Sequence, residues 1–359
     1  MITLTNSPAD IKRAAKILKD GGLAVFPTET VYGLGADAYN TQALAKVFEV
    51  KGRPLFDPLI VHIASLKTLD HLTCPDALDS QRHQLLEKLV NVFWPGPLTL
   101  VLPKKPELPG LLSAGLPTVA IRFPSHLIAQ SLISLSTGAV AAPSANRFGR
   151  LSPTRAEHVV ESLGDNIDCI IDGGPCTVGV ESTVMELIPA PRILRPGGIS
   201  REQLEEVIGP VACCGFAEDI LCDQADSAKP SPGMLQSHYA PEIPLFLHGH
   251  EEMANLSYNG NEGYLFFSGK SRDVWLINST VQTDNCTKPK TIFVLSESGD
   301  TTEAAANLFE YLHILNKSGA SCIHAETLPE EGLGRAVNDR LRKAAQRPAL
   351  CAAQKAADE

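Results

Sequence analysis

The sequence predicts an α/β protein in two parts. A twisted mixed sheet with flanking helices occupies residues 1–208, and a smaller α/β domain with a parallel sheet occupies 242–359. Three observations predict this. Short β-rich runs alternate with stretches of helical period through the first two hundred residues. Between 209 and 241 that periodicity fades into Gly, Ser, Pro and Asp, including KPSPGM at 229–234, which marks an interdomain linker. Beyond it, strand-like and helix-like stretches resume. A chain of 359 residues is also longer than one small domain needs.

In chain order, 8–20 reads as a helix, with Ile11, Ala14, Ala15 and Leu18 at helical spacing and Gly21-Gly22 as the stop. Residues 23–26 form a buried strand. Thr41 is expected to cap a helix to about residue 51, with Leu44, Val47 and Phe48 on its inner face. The stretches 59–63, 98–102, 118–123 and 139–142 read as strands, with a helix at about 81–93 between the first two. Further strands follow at 167–171, 182–188 and 192–195, and Ser200 caps a short helix ending at 208. In the second part, 244–248, 264–267, 274–277, 292–295 and 322–324 read as strands. Stretches 304–316 and 334–346 read as helices, the first carrying Leu308, Phe309, Leu312 and Leu315 on one face. There is no internal repeat and no low-complexity tract.

Thirty-one Lys and Arg against 41 Asp and Glu give a net charge of −10, so no global basic field exists to hold a polyanion. The acid sits in the second part: residues 1–208 carry 19 basic and 21 acidic side chains, 209–359 carry 12 and 20. This leaves room for a local basic cleft in the first. The nine cysteines include no C-x-x-C pair, so neither a common zinc motif nor a thioredoxin-like motif is indicated, and reduced thiols in a reducing cytosol are expected. The start, MITLTNSPAD, lacks a signal-peptide pattern, and no apolar run approaches the ~20 residues that span a bilayer. The expectation is a cytoplasmic protein with no membrane partner.

Neither G-x-x-x-x-G-K-[ST] nor a helix-opening G-x-G-x-x-G is present, and H-E-x-x-H and G-x-S-x-G are also missing. Any nucleotide must be held by scattered side chains. FPTETVYGLGADA at 26–38 sets Thr28, Glu29, Thr30 and Tyr32 against Gly33 and Gly35 at a strand end, which resembles a ligand cradle. Lys51-Gly52-Arg53-Pro54 follows a helix C-terminus. Cations there complement the helix dipole, but on a proline-stiffened loop they also suit a triphosphate, Arg supplying a bidentate fork. His62, in LIVHIA at 59–64, reads first as a core histidine. Arg122, ending TVAIR, needs a partner, either a substrate carboxylate or an internal Asp or Glu. PSANRFGRLSPT at 143–154 places Ser144, Asn146, Arg147, Arg150 and Ser152 between a strand and a helix start, a setting that favours phosphate oxygens. Ser182, Thr183 and Arg195 could face a shared cleft.

Taken in order, PTETVYGLG, KGRP, FWPGPLTLVL, the SAN of PSAN, ESTV and LRPGG resemble the catalytic domain of the YrdC-type threonylcarbamoyl-AMP synthases. SPGMLQSHYAP at 231–241 and GLGRAVNDRLRKAA at 332–345 are similar to the linker and C-terminal signatures of the family's long form. The resemblance therefore spans essentially the whole chain, and it implies a YrdC-like sheet followed by a Rossmann-like domain. It implies condensation of L-threonine, bicarbonate and ATP to threonylcarbamoyl-AMP and pyrophosphate, with Mg2+ accompanying ATP and no dedicated protein metal ligands. Position by position, it implies catalytic roles on the ATP phosphates for Lys51 and Arg53. Thr118, Ser144, Asn146, Ser152, Arg195 and Tyr239 become further ATP contacts. Thr30, His62, Arg122 and Ser182 become the threonine pocket, with Arg122 clamping the carboxylate. The product would pass to a tRNA threonylcarbamoyl-transferase complex, with weak or transient tRNA contact at most.

Asp57 departs from the family's Asn, and a carboxylate beside phosphates needs neutralising by magnesium or Arg53. The 209–241 linker, with Met234, His238 and Tyr239, is expected to act as a lid that keeps water from an acyl-adenylate. Two other classes are disfavoured. The acidic balance and the lack of an aromatic–basic stripe argue against an RNA-binding module. Hydrogenase-maturation relatives that use carbamoyl phosphate carry N-terminal acylphosphatase-like and zinc regions that this sequence does not show. The synthase reading requires the 51–53 and 144–146 loops to lie together.

Overall fold

The structure, a computed structural model, describes residues 1–213, 238–258, 260–279 and 291–346. The first 213 residues contribute eleven strands to one mixed sheet: β1 (Ile2–Leu4), β2 (Ala24–Phe26), β3 (Gly33–Asp37), β4 (Ile60–Ile63), β5 (Leu98–Pro103), β6 (Thr118–Arg122), β7 (Ala139–Ala141), β8 (Cys169–Ile171), β9 (Thr183–Glu186), β10 (Arg192–Arg195) and β11 (Ala212–Cys213). Their spatial order is β1-β8-β2-β3-β7-β4-β6-β5-β9-β10-β11. The central strands are short and apolar because both faces are covered. On one face, Ala24, Phe26 and Val140 pack beneath α1 (Pro8–Lys19). On the other, Val25, Leu34 and Val61 pack beneath α2 (Thr41–Lys51), together with Leu44, Val47 and Phe48. Each large aliphatic or aromatic side chain buried this way contributes roughly 1.5–3 kcal/mol.

The one-turn α3 (Leu69–Leu72), α4 (Ser80–Phe93), α5 (Leu127–Leu135), α6 (Ala156–Leu163) and α7 (Arg201–Ile208) complete this part. Ser200 caps α7 as expected, with Gln203 completing a capping box. The cap of α2 is Asn40, not Thr41; its side chain accepts from the amides of Gln42 and Ala43. Sequence reading passed over β1, β3, β11, α3, α5 and α8 (His250–Ala254). For β3 the reason is composition: GLGAD reads as a loop, and only its antiparallel pairing with β2 and β7 makes it a strand.

Among its described residues the second part holds four parallel strands, β12 (Leu245–His248), β13 (Gly263–Ser268), β14 (Ile292–Ser296) and β15 (Ile323–Glu326), in the order β12-β15-β13-β14. Their alternation splits the sheet faces. Leu245, Leu265, Leu295 and Ala325 pack against α10 (Thr301–Lys317) and α11 (Gly334–Ala345). Tyr264 and Phe266 pack against Met253 of α8 and Trp275 of α9 (Gly269–Asn278). The strand expected at 274–277 is therefore part of a helix. The run VWLI has strand composition, but Ser268 caps the segment through the Ser271 amide, and Leu276 and Ile277 both face out, which breaks strand alternation. The apolar cluster under α10 and α11 continues into Val31, Leu151 and Val180, joining the two parts. Most of the 209–241 linker lies outside the described residues.

Candidate active site

Parallel pairing of β4 with β6 sets His62 opposite Arg122, so both side chains emerge on one sheet face. The loops leaving β2 and β7 and the segment entering β9 surround a cavity of about 50 Å³ on this face, lined by Thr30, Arg53, His62, Arg122, Ser144, Ser182, Arg195 and Tyr239 among others.

On one side of the cavity, Arg122 Nη1 donates to Thr30 Oγ1 at 2.8 Å, and Nη2 lies 2.7 Å from Glu29 Oε1. Its Nε reaches Gly96 O at 3.4 Å. Thr30 Oγ1 is 2.9 Å from Thr28 Oγ1, which donates to Val31 O. The partner that sequence reading left open is therefore an internal carboxylate. Burial pushes Glu29 up, but the Arg122 guanidinium outweighs it and holds the carboxyl below its ordinary value. A guanidinium has five N–H groups, and these three contacts leave capacity for a second carboxylate. Burial, with Arg122 adding to it, pushes the His62 imidazole down to about 3, so the ring is neutral at ordinary pH. Ser182 Oγ lies 2.7 Å from Thr99 Oγ1 and accepts from Arg195 Nη2 at 3.2 Å.

On the other side, the 51–53 and 144–146 loops do meet. Lys51 Nζ donates to the carbonyl oxygens of Ser144 (2.6 Å) and Asn146, and Phe148 N returns a bond to Lys51 O at 2.8 Å. Burial, then the nearby Arg53 charge, hold the Lys51 ammonium well below its ordinary value. Arg53 donates to Asp57 O at 3.0 Å and Pro58 O at 2.7 Å, and its Nη2 lies 2.9 Å from Asp57 Oδ2. Asp57 is thus neutralised by Arg53 itself. Asn146 Nδ2 ties the loop to Arg147 O and Arg150 O, while its buried Oδ1 has no hydrogen-bond partner among the described residues.

Of the expected ATP contacts, Lys51 and Asn146 join the two loops without lining this cavity, and three others have further placements or partners. Ser152 Oγ donates to Glu181 Oε1. Thr118 starts β6, on the same face as Arg122 but about 13 Å along the strand, and it does not line the cavity. Tyr239 is buried with φ 62°, its ring 4.0 Å from His238 and 5.7 Å from Phe309. Together with His238 it fills one wall.

Sequence reading missed Glu181 and Arg340. Arg340, on α11, is fully buried and donates to Glu181 Oε2 and to Pro196 O, each at 2.8 Å, with its guanidinium 5.3 Å over the Tyr239 ring. Burial pushes Glu181 up, but Arg340 and Arg195 together bring it below its ordinary value. A signal was present: Ala336, Arg340 and Ala344 recur every four residues on the buried face of α11.

The sequence pattern of the family described as "Telomere recombination" matches residues 16–197, and that described as "Threonylcarbamoyl-AMP synthase, C-terminal domain" matches residues 199–346. A threonylcarbamoyl-AMP synthase of Pyrococcus abyssi is 43% identical over 338 residues, 93% of each chain. One from Bacillus subtilis is 42% identical over 346 residues, covering 95% of this chain and 94% of its own. The crystal structure of a P. abyssi relative complexed with L-threonine superimposes with a TM-score of 0.80, at 38% identity, over 96% of this chain and 98% of that one. With one pattern on each part and relatives aligned along nearly their full length, this chain belongs to the threonylcarbamoyl-AMP synthase family, in its two-domain, ATP-using form.

Proposed function

We propose that this cleft condenses L-threonine, bicarbonate and ATP into threonylcarbamoyl-AMP and pyrophosphate. The observation that carries the reading is the Lys51 bridge, which holds the cationic 51–53 loop against the 144–146 loop beside the cavity lined by Thr30, His62, Arg122 and Ser182. Threonine's amine captures CO2 as a carbamate, a carbamate oxygen attacks the α-phosphorus of ATP, and pyrophosphate leaves. No covalent enzyme intermediate is needed, and the described cleft holds no nucleophile–base dyad. Catalysis is positioning plus charge neutralisation.

The free N–H capacity of Arg122 takes the threonine carboxylate, while Thr30, neutral His62 and Ser182 surround the amino acid. Lys51, Arg53 and Arg195 face the phosphates, and Ser144 and Ser152 line their loop. The orphaned Asn146 Oδ1 suits a ribose hydroxyl, which can donate to it. Thr118 takes the far end of the nucleotide. His238 and Tyr239 wall the cavity against water.

The cleft carboxylates Glu29, Asp57 and Glu181 are each tied to an arginine, so Mg2+ would ride on the triphosphate and keep its waters rather than enter a protein cage. We divide the chain into 1–208, a linker at 209–241 and 242–359, although β11 (Ala212–Cys213) carries the first sheet a few residues beyond 208. No helix among the described residues is long and apolar enough to cross a membrane, and we place the protein in the cytoplasm. There its product would feed a tRNA threonylcarbamoyl-transferase complex.

Pyrophosphate release from ATP tests this, with threonine, bicarbonate and Mg2+ each omitted in turn. Release should need all three, and Lys51→Ala should abolish it. Release that persists without threonine or bicarbonate removes the proposed reaction, and equal turnover by the variant removes Lys51 from it.

A further inference from the structure

A second cluster of reactive side chains lies in the C-terminal part, on the sheet face turned away from α10 and α11. His324 of β15 pairs in register with both Phe246 of β12 and Tyr264 of β13. Its Nε2 points at two further donors: Cys322 Sγ at 3.5 Å and Glu262 Oε2 at 3.4 Å. All three donor atoms lie within 4.8 Å of one another.

These separations bear on two readings, a hydrogen-bonded cluster and the ligands of an ion. At 3.4 Å, the histidine–carboxylate contact is long for a hydrogen bond between such groups. Tetrahedral zinc, with bonds of roughly 2.3 Å to sulfur and 2.0–2.2 Å to nitrogen and oxygen, sets neighbouring N and S ligands about 3.6 Å apart and N and O ligands about 3.4 Å apart. The two separations from His324 Nε2 match those of ligands around an ion, and the third pair lies within 4.8 Å.

The surroundings orient each donor. His324 Nδ1 lies 2.9 Å from His248 Nε2, so with Nε2 on a metal the proton sits on Nδ1 and is donated to His248. Phe246 and Tyr264 stack on the His324 ring at 5.6 and 5.5 Å and fix its plane. Tyr264 OH lies 3.1 Å from Glu262 Oε2 and 3.1 Å from Ser257 O, which holds the carboxylate beside the aromatic wall. The backbone beneath is tied as well, since Gly263 N donates to Cys322 O at 2.9 Å.

We propose that Glu262, Cys322 and His324 form a site for a zinc-class divalent cation that clasps the starts of β13 and β15. One nitrogen, one sulfur and one carboxylate oxygen are the donor set of zinc rather than of magnesium or calcium. Three protein ligands leave a fourth position for water or a small donor. Cys322 binds as thiolate, its proton passing to solvent. The ligands are spaced as E-x59-C-x-H, which matches no zinc motif and so is invisible to motif reading. The site does not depend on the reaction proposed above.

The test uses the full chain, stripped of metal by a chelator and titrated with Co2+, then with Zn2+. One Co2+ per chain should bind with a thiolate-to-cobalt charge-transfer band, and Zn2+ should displace it and raise Tm. Cys322→Ser should abolish the band and the Tm shift. His248→Ala, which removes only the histidine's orienting partner, should weaken affinity about 10–100-fold. Circular dichroism must show both variants folded; if Cys322→Ser does not fold, Glu262→Gln takes its place and should lose tight binding. The proposal is overturned if no charge-transfer band develops, if the band survives in Cys322→Ser, or if His248→Ala binds as tightly as wild type.

Discussion

Replacing Arg340 by methionine tests whether the C-terminal part is built into the cleft. The side chain is fully buried, and its Nε is 2.8 Å from Glu181 Oε2. Methionine fills much of the volume but leaves Glu181 with the Ser152 hydroxyl and the field of Arg195 in place of its ion-pair partner. Removing one partner of a buried pair destabilises by about 3–5 kcal/mol, because the other charge stays buried. At about 2–4 °C per kcal/mol this is a Tm fall of roughly 6–20 °C, toward the lower end for so long a chain. Adding Glu181→Gln removes the stranded charge and should recover at least about half of the loss, a coupling that a double-mutant cycle measures directly. The two tryptophans, Trp94 and Trp275, lie one in each part, so urea unfolding followed by fluorescence reports on both. A loss below about 1 kcal/mol, or strict additivity of the two substitutions, would refute the reasoning.

Acid should weaken the fold through three histidines. Burial first of all pushes His62 down to about 3 and His158 and His313 to about 4, against about 6.5 when unfolded. Between about pH 4 and 6.5 the unfolded chain therefore binds more protons, so stability rises with pH there and is fully present above 6.5. Each histidine contributes a slope of about 1.4 kcal/mol per pH unit. Tm should fall between pH 6.5 and 5, less steeply in His313→Gln; a flat profile would show these rings to be hydrated. Gly179→Ala would set a Cβ 2.3 Å from Ala305 O and 2.4 Å from the Ala306 Cα at φ 77°, whereas Gly52→Ala meets open space at φ 60°. The second should lose only the roughly 1–2 kcal/mol of a left-handed backbone and the first clearly more, so equal Tm shifts would remove the close approach. Tyr239→Ala should open the cavity wall and raise ATP consumption per product formed, and an unchanged ratio would take Tyr239 out of the seal.

How much was legible in the sequence depends on the range of the interaction. Period-coded elements such as α1, α2 and α10 declared themselves, because burying one helical face imprints a local repeat. β3 and α9 did not: a glycine-rich strand is defined by its neighbours, and VWLI is ambiguous between a strand and a helix with one buried tryptophan. At the site, Lys51, Arg53 and Arg122 stood out as cations in apolar or rigid settings. Asp57, four residues from Arg53, was legible as its partner, but Glu29 against Arg122 and Ser144 against Lys51 were not, each lying 93 residues away in sequence. The sequence leaves Arg122 either a substrate carboxylate or an internal one; the structure supplies the internal one, Glu29, and donors to spare.

That pairing pattern explains how the fold can hold so many buried cations around one cleft. Arg53, Arg122 and Arg340 each sit against a carboxylate, so their charges are neutralised locally and the fold does not carry them unpaired. Lys51 is different. Among the described residues it makes no ion pair, and its amine is held by backbone carbonyls, which satisfy its donors without cancelling its charge. Burial and Arg53 therefore press it toward the neutral form. A triphosphate reverses that balance, because anionic oxygens nearby favour the protonated amine. On the proposed reading, Lys51, which joins the two loops, would gain from a triphosphate the counter-charge that Arg53 and Arg122 already have.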